Sequence, residues 1–114
     1  MRELTVGENL TAGTSNTVYT VPKGCKAIAT LLMISNYGGN SKSVTASWYD
    51  QSTSTSVTIV GGHSVSAGDY LMFNQGRMVM DEFDELRITP ESSSSFSVIF
   101  TVEILQSTAY QNGS

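Results

Sequence analysis

Apolar and polar residues alternate with a period of two along most of this chain. Between residues 96 and 105, Phe96, Val98, Phe100, Val102 and Ile104 fall on one side, and Ser97, Thr101 and Glu103 on the other. Val44, Ala46 and Trp48 oppose Thr45, Ser47 and Tyr49 in the same way. Val57 with Ile59, and Leu86 with Ile88, are likewise placed to point inward. Successive side chains of a strand point to opposite faces, so each run predicts a strand with one face buried. Helical spacing is missing. No window of a dozen residues holds apolar residues at i, i+3, i+4 and i+7 without an interrupting Gly, Pro or Ser/Thr cluster.

Turn residues punctuate the runs at intervals of about ten, the mark of a sandwich or barrel. Strands are expected at 4–6, 17–21, 26–36, 43–49, 56–60, 69–73, 77–80, 85–89 and 96–105. Pro22-Lys23-Gly24 reads as a turn whose proline presets φ, and Gly38-Gly39 and Gly61-Gly62 read as turns that end strands. The expected fold is all-β: a two-sheet antiparallel sandwich, jelly-roll-like, of about eight strands. Residues 1–16 form an N-terminal arm or edge strand, 17–106 the sandwich, and 107–114 a polar C-terminal tail. About a dozen buried large apolar side chains, each contributing roughly 1.5–3 kcal/mol, make a core adequate for one domain.

One strand breaks the pattern. On strict alternation, Ile28, Leu32 and Ile34 share one face of the long run, and Ala27, Ala29, Leu31 and Met33 share the other. The runs Leu71-Met72-Phe73 and Met78-Val79-Met80 are also apolar on both sides. A sandwich strand has one face in the core, so apolarity on both needs a second cover. A folded-back loop, a terminal segment or another subunit could supply it. Large apolar patches are rare on monomers, and Met-rich surfaces suit adaptable contacts. A subunit interface is therefore favoured, with Ala29, Leu31, Met33, Met78 and Met80 as its candidate residues.

Charge removes one class of partner. The 114 residues carry a formal net charge of −4 with a pI near 4.7, and only 14% are charged. Arg2, Lys23, Lys26, Lys42, Arg77 and Arg87 are scattered, whereas a nucleic-acid binder needs a basic stripe to displace counterions. Cys25 is the sole cysteine, so no intrachain disulfide forms. The first residues hold no apolar stretch of signal-peptide length, and no run approaches the roughly 20 apolar residues of a membrane helix. A soluble chain made in a cytoplasm is expected.

Candidate chemistry is thin. The acidic run Asp81-Glu82-Phe83-Asp84-Glu85 lacks the spaced oxygen ligands of a calcium loop and reads as a solvated turn, with Phe83 available to anchor it; contact with a basic patch on a neighbouring subunit is the alternative. His63 and Cys25 cannot supply three or four zinc ligands, and a Cys–His dyad would need an orienting group and an oxyanion site. The glycine pairs precede no helix, so they are not phosphate cradles. Trp48 and Tyr49, with Tyr37 or Tyr70, could form an aromatic platform for a sugar, although a Trp in mid-strand is more often core. Neither an enzyme nor a cofactor is expected.

The order of local patterns resembles that of small virion proteins of tailed bacteriophages. Val18-Tyr19-Thr20-Val21-Pro22-Lys23-Gly24 is similar to their opening turn, and 27–36 to a long apolar strand ending in Asn. Val44-Thr45-Ala46-Ser47-Trp48-Tyr49-Asp50, Ala67-Gly68-Asp69 and the acidic turn before Leu86 follow in the same order, so that the resemblance covers most of 16–105. It implies a structural protein of the particle, synthesised in the host cytoplasm. That would be a capsid decoration or cement protein on the major capsid protein, often trimeric at a lattice symmetry point. Such a protein would bind through an apolar face and a terminal arm. A neck, collar or tail component is the alternative within the virion. A carbohydrate-binding attachment module is the alternative outside that class.

Overall fold

The strict alternation of 96–105 gives the longest uninterrupted inner face of the molecule. Phe96, Val98, Phe100 and Val102 are wholly buried and Ile104 nearly so. The computed structural model describes residues 2–106, so the polar tail expected over 107–114 lies outside the described residues. Nine strands follow one another: β1 (Arg2–Asn9), β2 (Asn16–Thr20), β3 (Cys25–Asn36), β4 (Lys42–Asp50), β5 (Thr55–Val65), β6 (Tyr70–Phe73), β7 (Met78–Met80), β8 (Glu85–Pro90) and β9 (Phe96–Gln106).

One sheet has the order β1-β9-β3-β6, with β7 pairing the same β3, and the other the order β2-β8-β4-β5. Every pairing is antiparallel. The chain crosses between sheets at β1–β2, β2–β3, β3–β4, β5–β6, β7–β8 and β8–β9. A long hairpin with β1 against β9 and β2 against β8, rolled so that β3 meets β6 and β7 while β4 meets β5, is a jelly roll. Because β6 and β7 share one side of β3, the nine strands fill eight positions. The expected fold class is therefore the observed one.

The core lies between the sheets. Val44 and Ala46 of β4 and Leu86 and Ile88 of β8 meet the inner face of β9, with Ala27, Ile34 and Met80 beside them. Residues 2–9 are not detached from it. They pair with β9 along their whole length as an edge strand, and Leu4 and Val6 pack on the core. Asn36 closes one end of the sandwich. Its buried amide donates to the carbonyls of Asn40 and Val65, both at 2.9 Å, and accepts the N–H of Gly38 at 3.0 Å.

Two expectations fail at bulges, where one extra residue reverses which face the following side chains occupy. In β3 the register against β9 slips between Ala29 and Leu31. Ala27 and Ala29 stand opposite the inward Ile104 and Val102, and beyond the slip Leu32 and Ile34 stand opposite the inward Phe100 and Val98. Ile28 is therefore on the outer face, with Met33, and the two sets expected from strict alternation are mixed. In β5 the strand does not stop at Gly61-Gly62 but runs on to Val65. The glycines bulge opposite Thr45, with Gly62 at φ 57° and its N–H donating to Thr45 Oγ1 at 2.9 Å. Val57 and Ile59, expected in the core, are exposed on this edge strand.

Candidate functional site

Register builds an apolar stripe on the outer face of the first sheet. Met33 of β3 lies between Met72 of β6 and Ile99 of β9, and Ile99 is level with Gly7 of β1. Tyr70 stands beside Ser35 one row away, and Val79 beside Ile28 at the other end. Exposure runs from 38% at Ile99 to 52% at Tyr70, with Met72 and Val79 between. No described segment lies over the row of Met72, Met33 and Ile99, whereas Ile28 at the Val79 end is buried, 9% exposed.

Of the five residues expected on such a surface, the structure puts Met33 there and Leu31 half-buried at the bulge, level with Thr101. The other three are corrections. Met80 is wholly buried opposite Ala27, and Ala29 and Met78 pair with each other on the inner side. The bulge explains Ala29. In β7, three residues alternate normally, so only Val79 can face out when Met78 and Met80 face in. Tyr70, Met72, Val79 and Ile99 were missed. Ile99 had a signal, an apolar residue among Ser97, Thr101 and Glu103 on the polar side of its strand.

A second feature is a pocket of about 200 Å³ where the sheet edge is broken. β6 pairs with Leu32–Ser35 of β3 and β7 with Ala27–Ala29, so Thr30 and Leu31 have no strand beside them on that side. The pocket opens there. Phe100 and Leu32 form its buried base, Ile59, Phe73 and Met78 its walls, and Gln75 to Arg77 its rim.

Polar chemistry elsewhere is structural. The acidic run is not uniformly solvated. Asp84 is buried and accepts hydrogen bonds from Trp48 Nε1 at 3.1 Å and from the backbone N–H groups of Gln51 and Asp81, both at 3.0 Å. Glu82 Oε1 accepts the Gly24 N–H at 2.8 Å. Phe83 does not anchor the turn from within but is 41% exposed. Trp48 turns to the core, while Tyr49 lies on the opposite face with Arg87 Cζ 3.9 Å from its ring centre, so the two form no common platform. The Ser43 N–H bonded to Glu91, with Lys42 nearby, holds the Glu91 carboxyl below its ordinary pKa despite an opposing desolvation effect. Among the described residues no three His, Cys, Asp or Glu side chains group closely enough to hold a metal ion. Nor is any helix there long and apolar enough to cross a membrane.

No protein-family model matches the chain, and no curated protein matches it by sequence. Solved structures do match it by fold. A subunit from Bacillus endospore appendages, described as disulfide-linked pili, superposes with a TM-score of 0.58 at 17% identity, covering 92% of this chain and 87% of that one. The Gx strain of infectious bursal disease virus gives a TM-score of 0.54 at 15% identity, and the VP2 subviral particle of the same virus 0.53 at 10%. Each covers 96% of this chain, which spans about a third of the viral chains (33% and 34%). The jelly roll is thus shared with virus-particle and pilus proteins, while a tailed-phage origin rests on the turn pattern alone.

Proposed function

We propose that this chain is a non-enzymatic structural subunit of a virus particle, docked on other subunits through the outer face of the β1-β9-β3-β6 sheet. The observation that carries the reading is the exposed row of Met72, Met33 and Ile99, flanked by Tyr70 and Val79. A stripe of this kind needs a cover, and methionines adapt to an imperfectly matched one. The jelly roll, common to the viral chains above, supports the same reading. Its most specific form is a capsid decoration protein, trimeric on the major capsid lattice. Adding buried area across lattice subunits would oppose their separation.

A fibre subunit is the second reading, supported by the near full-length likeness to the endospore pilus chain. Carbohydrate attachment through Trp48 and Tyr49 loses support, since those rings lie on opposite faces. The test is the solution mass by light scattering over a range of concentrations, for the parent chain and for Met33→Glu with Met72→Glu. A stable trimer abolished by the paired substitution supports decoration, and a mass that climbs without limit supports the fibre. An assembly state indifferent to both substitutions would remove this face from the account.

A further inference from the structure

We infer that the pocket at the break between β6 and β7 receives Phe83 from a second copy of this chain. The site adjoins the apolar outer face at Leu31 but includes none of Met33, Met72 and Ile99, so its failure would leave that reading standing. The pocket is lined by Leu32, Ile59, Phe73, Met78 and Phe100, with no acidic residue among its lining. Its volume of about 200 Å³ is ample for an aromatic ring, given that an apolar cavity of about 150 Å³ binds benzene.

Phe83 has the properties of a ring built to be inserted. It is exposed at 41% and stands at φ 69°, a backbone region that bulky side chains rarely occupy and that costs roughly 1–3 kcal/mol. The turn overrides that preference. The Phe83 N–H donates to Val21 O at 2.8 Å, and the adjoining Asp84 is fixed by its three hydrogen bonds. A turn fixed before contact leaves only the ring's own rotation to be ordered on binding. It does not line the pocket of its own chain, so a Phe83 ring that fills the pocket comes from another copy.

Charge points the same way. Asp81 and Glu82 flank Phe83, Asp81 in an exposed pair with Lys26 at 3.7 Å and Glu82 holding the Gly24 N–H. The pocket rim carries Arg77, whose side chain is 63% exposed beside Glu103 at 3.6 Å. Both ion pairs are loose and solvated, so Arg77 can exchange Glu103 for Asp81. An acidic tip meeting a basic rim favours this register over the reverse one. Knob and pocket are different surfaces, so the contact is head-to-tail and produces a ring if it closes and a filament if it does not.

The test is sedimentation in a Met72→Glu background, which silences the outer face. Phe83→Asn removes the ring yet tolerates the left-handed backbone, and Ile59→Glu places a charge at the mouth on an exposed strand. Thermal melts establish that both fold. The parent's average mass should rise with concentration, and each variant should weaken association by more than about tenfold, as expected for loss of a central aromatic anchor. Mixed in equal amounts, the two variants should form a one-to-one dimer, because one intact ring and one intact pocket remain. Saturating benzene, which needs no variant, should dissociate the parent. A parent that stays monomeric at millimolar concentration, variants that associate as the parent does, or a mixture that stays monomeric would overturn the inference.

Discussion

Trp48 and Asp84 are joined across the sandwich end by a hydrogen bond of 3.1 Å from the indole Nε1–H to Oδ2. The bond ties β4 to the turn that leads into β8, and the same carboxylate holds the N–H groups of Gln51 and Asp81. A single side chain therefore collects two turns and a core aromatic. This is why one member of an acidic run is buried while Asp81 beside it is exposed and pairs loosely with Lys26 at 3.7 Å.

Asp84→Ala should consequently be among the most damaging polar substitutions in the chain. It strands three donors, and an unsatisfied buried group costs roughly 1–3 kcal/mol, part of which water recovers at this end of the sandwich. A loss of about 3 kcal/mol is expected, read as a lower urea midpoint at unchanged slope. Asp81→Ala should change the midpoint little. Equal effects of the two substitutions would mean that Asp84 does not organise this end.

The fold was legible in the sequence to the extent that alternation was unbroken. β9 and β8 obey it throughout, and their inner faces are the expected ones. It failed where one backbone residue was inserted. Nothing in Ala29-Thr30-Leu31 marks a bulge, because a Thr in a strand is ordinary, and the slip became visible only when β9 fixed the register. The doubly apolar runs pointed to an outer apolar face, but which residues compose it depended on that slip. The pocket had no sequence signature. It arises from the separation of β6 and β7, which exists only relative to β3.

Met80 and Met33 should separate what one reading had combined. Met80→Ala removes a wholly buried side chain and should cost about 2–4 kcal/mol while leaving association unchanged. Met33→Glu lies on the outer face and should leave stability within about 1 kcal/mol while reducing association. Urea unfolding and light scattering on the same two samples decide the matter. If Met80→Ala altered assembly and Met33→Glu did not, the surface would have been drawn on the wrong side of the sheet.

The glycine pair offers a sharper contrast within two residues. Gly62 stands at φ 57°, where an L side chain costs roughly 1–2 kcal/mol, so Gly62→Ala should lower stability by about that much. At Gly61 a Cβ would meet Thr58 Cγ2 at 3.5 Å, an ordinary contact, and φ is not positive there. Gly61→Ala should therefore change stability by less than about 0.5 kcal/mol.

Tyr19 carries the last prediction. Its ring packs on Phe100 with centroids 6.0 Å apart, and its hydroxyl is buried with no hydrogen-bond partner among the described residues. Burial raises its pKa above the ordinary 10.0, the nearby Cys25 adds to the rise, and Arg2 partly opposes it. A raised folded pKa means that the contribution of the neutral phenol is complete below the unfolded value. It is lost as the pH climbs from there through the folded one, because the unfolded chain ionises first. Tyr19→Phe should thus raise stability at neutral pH by about 1 kcal/mol, by deleting an unsatisfied group. It should also flatten the alkaline limb above pH 10.0, so that the gap between variant and parent widens there. Urea midpoints measured for both proteins at neutral pH and in steps above 10.0 test the two halves separately. A parallel pair of curves would show that the phenol ionises as readily folded as unfolded, and a less stable variant would show that the hydroxyl has a partner after all.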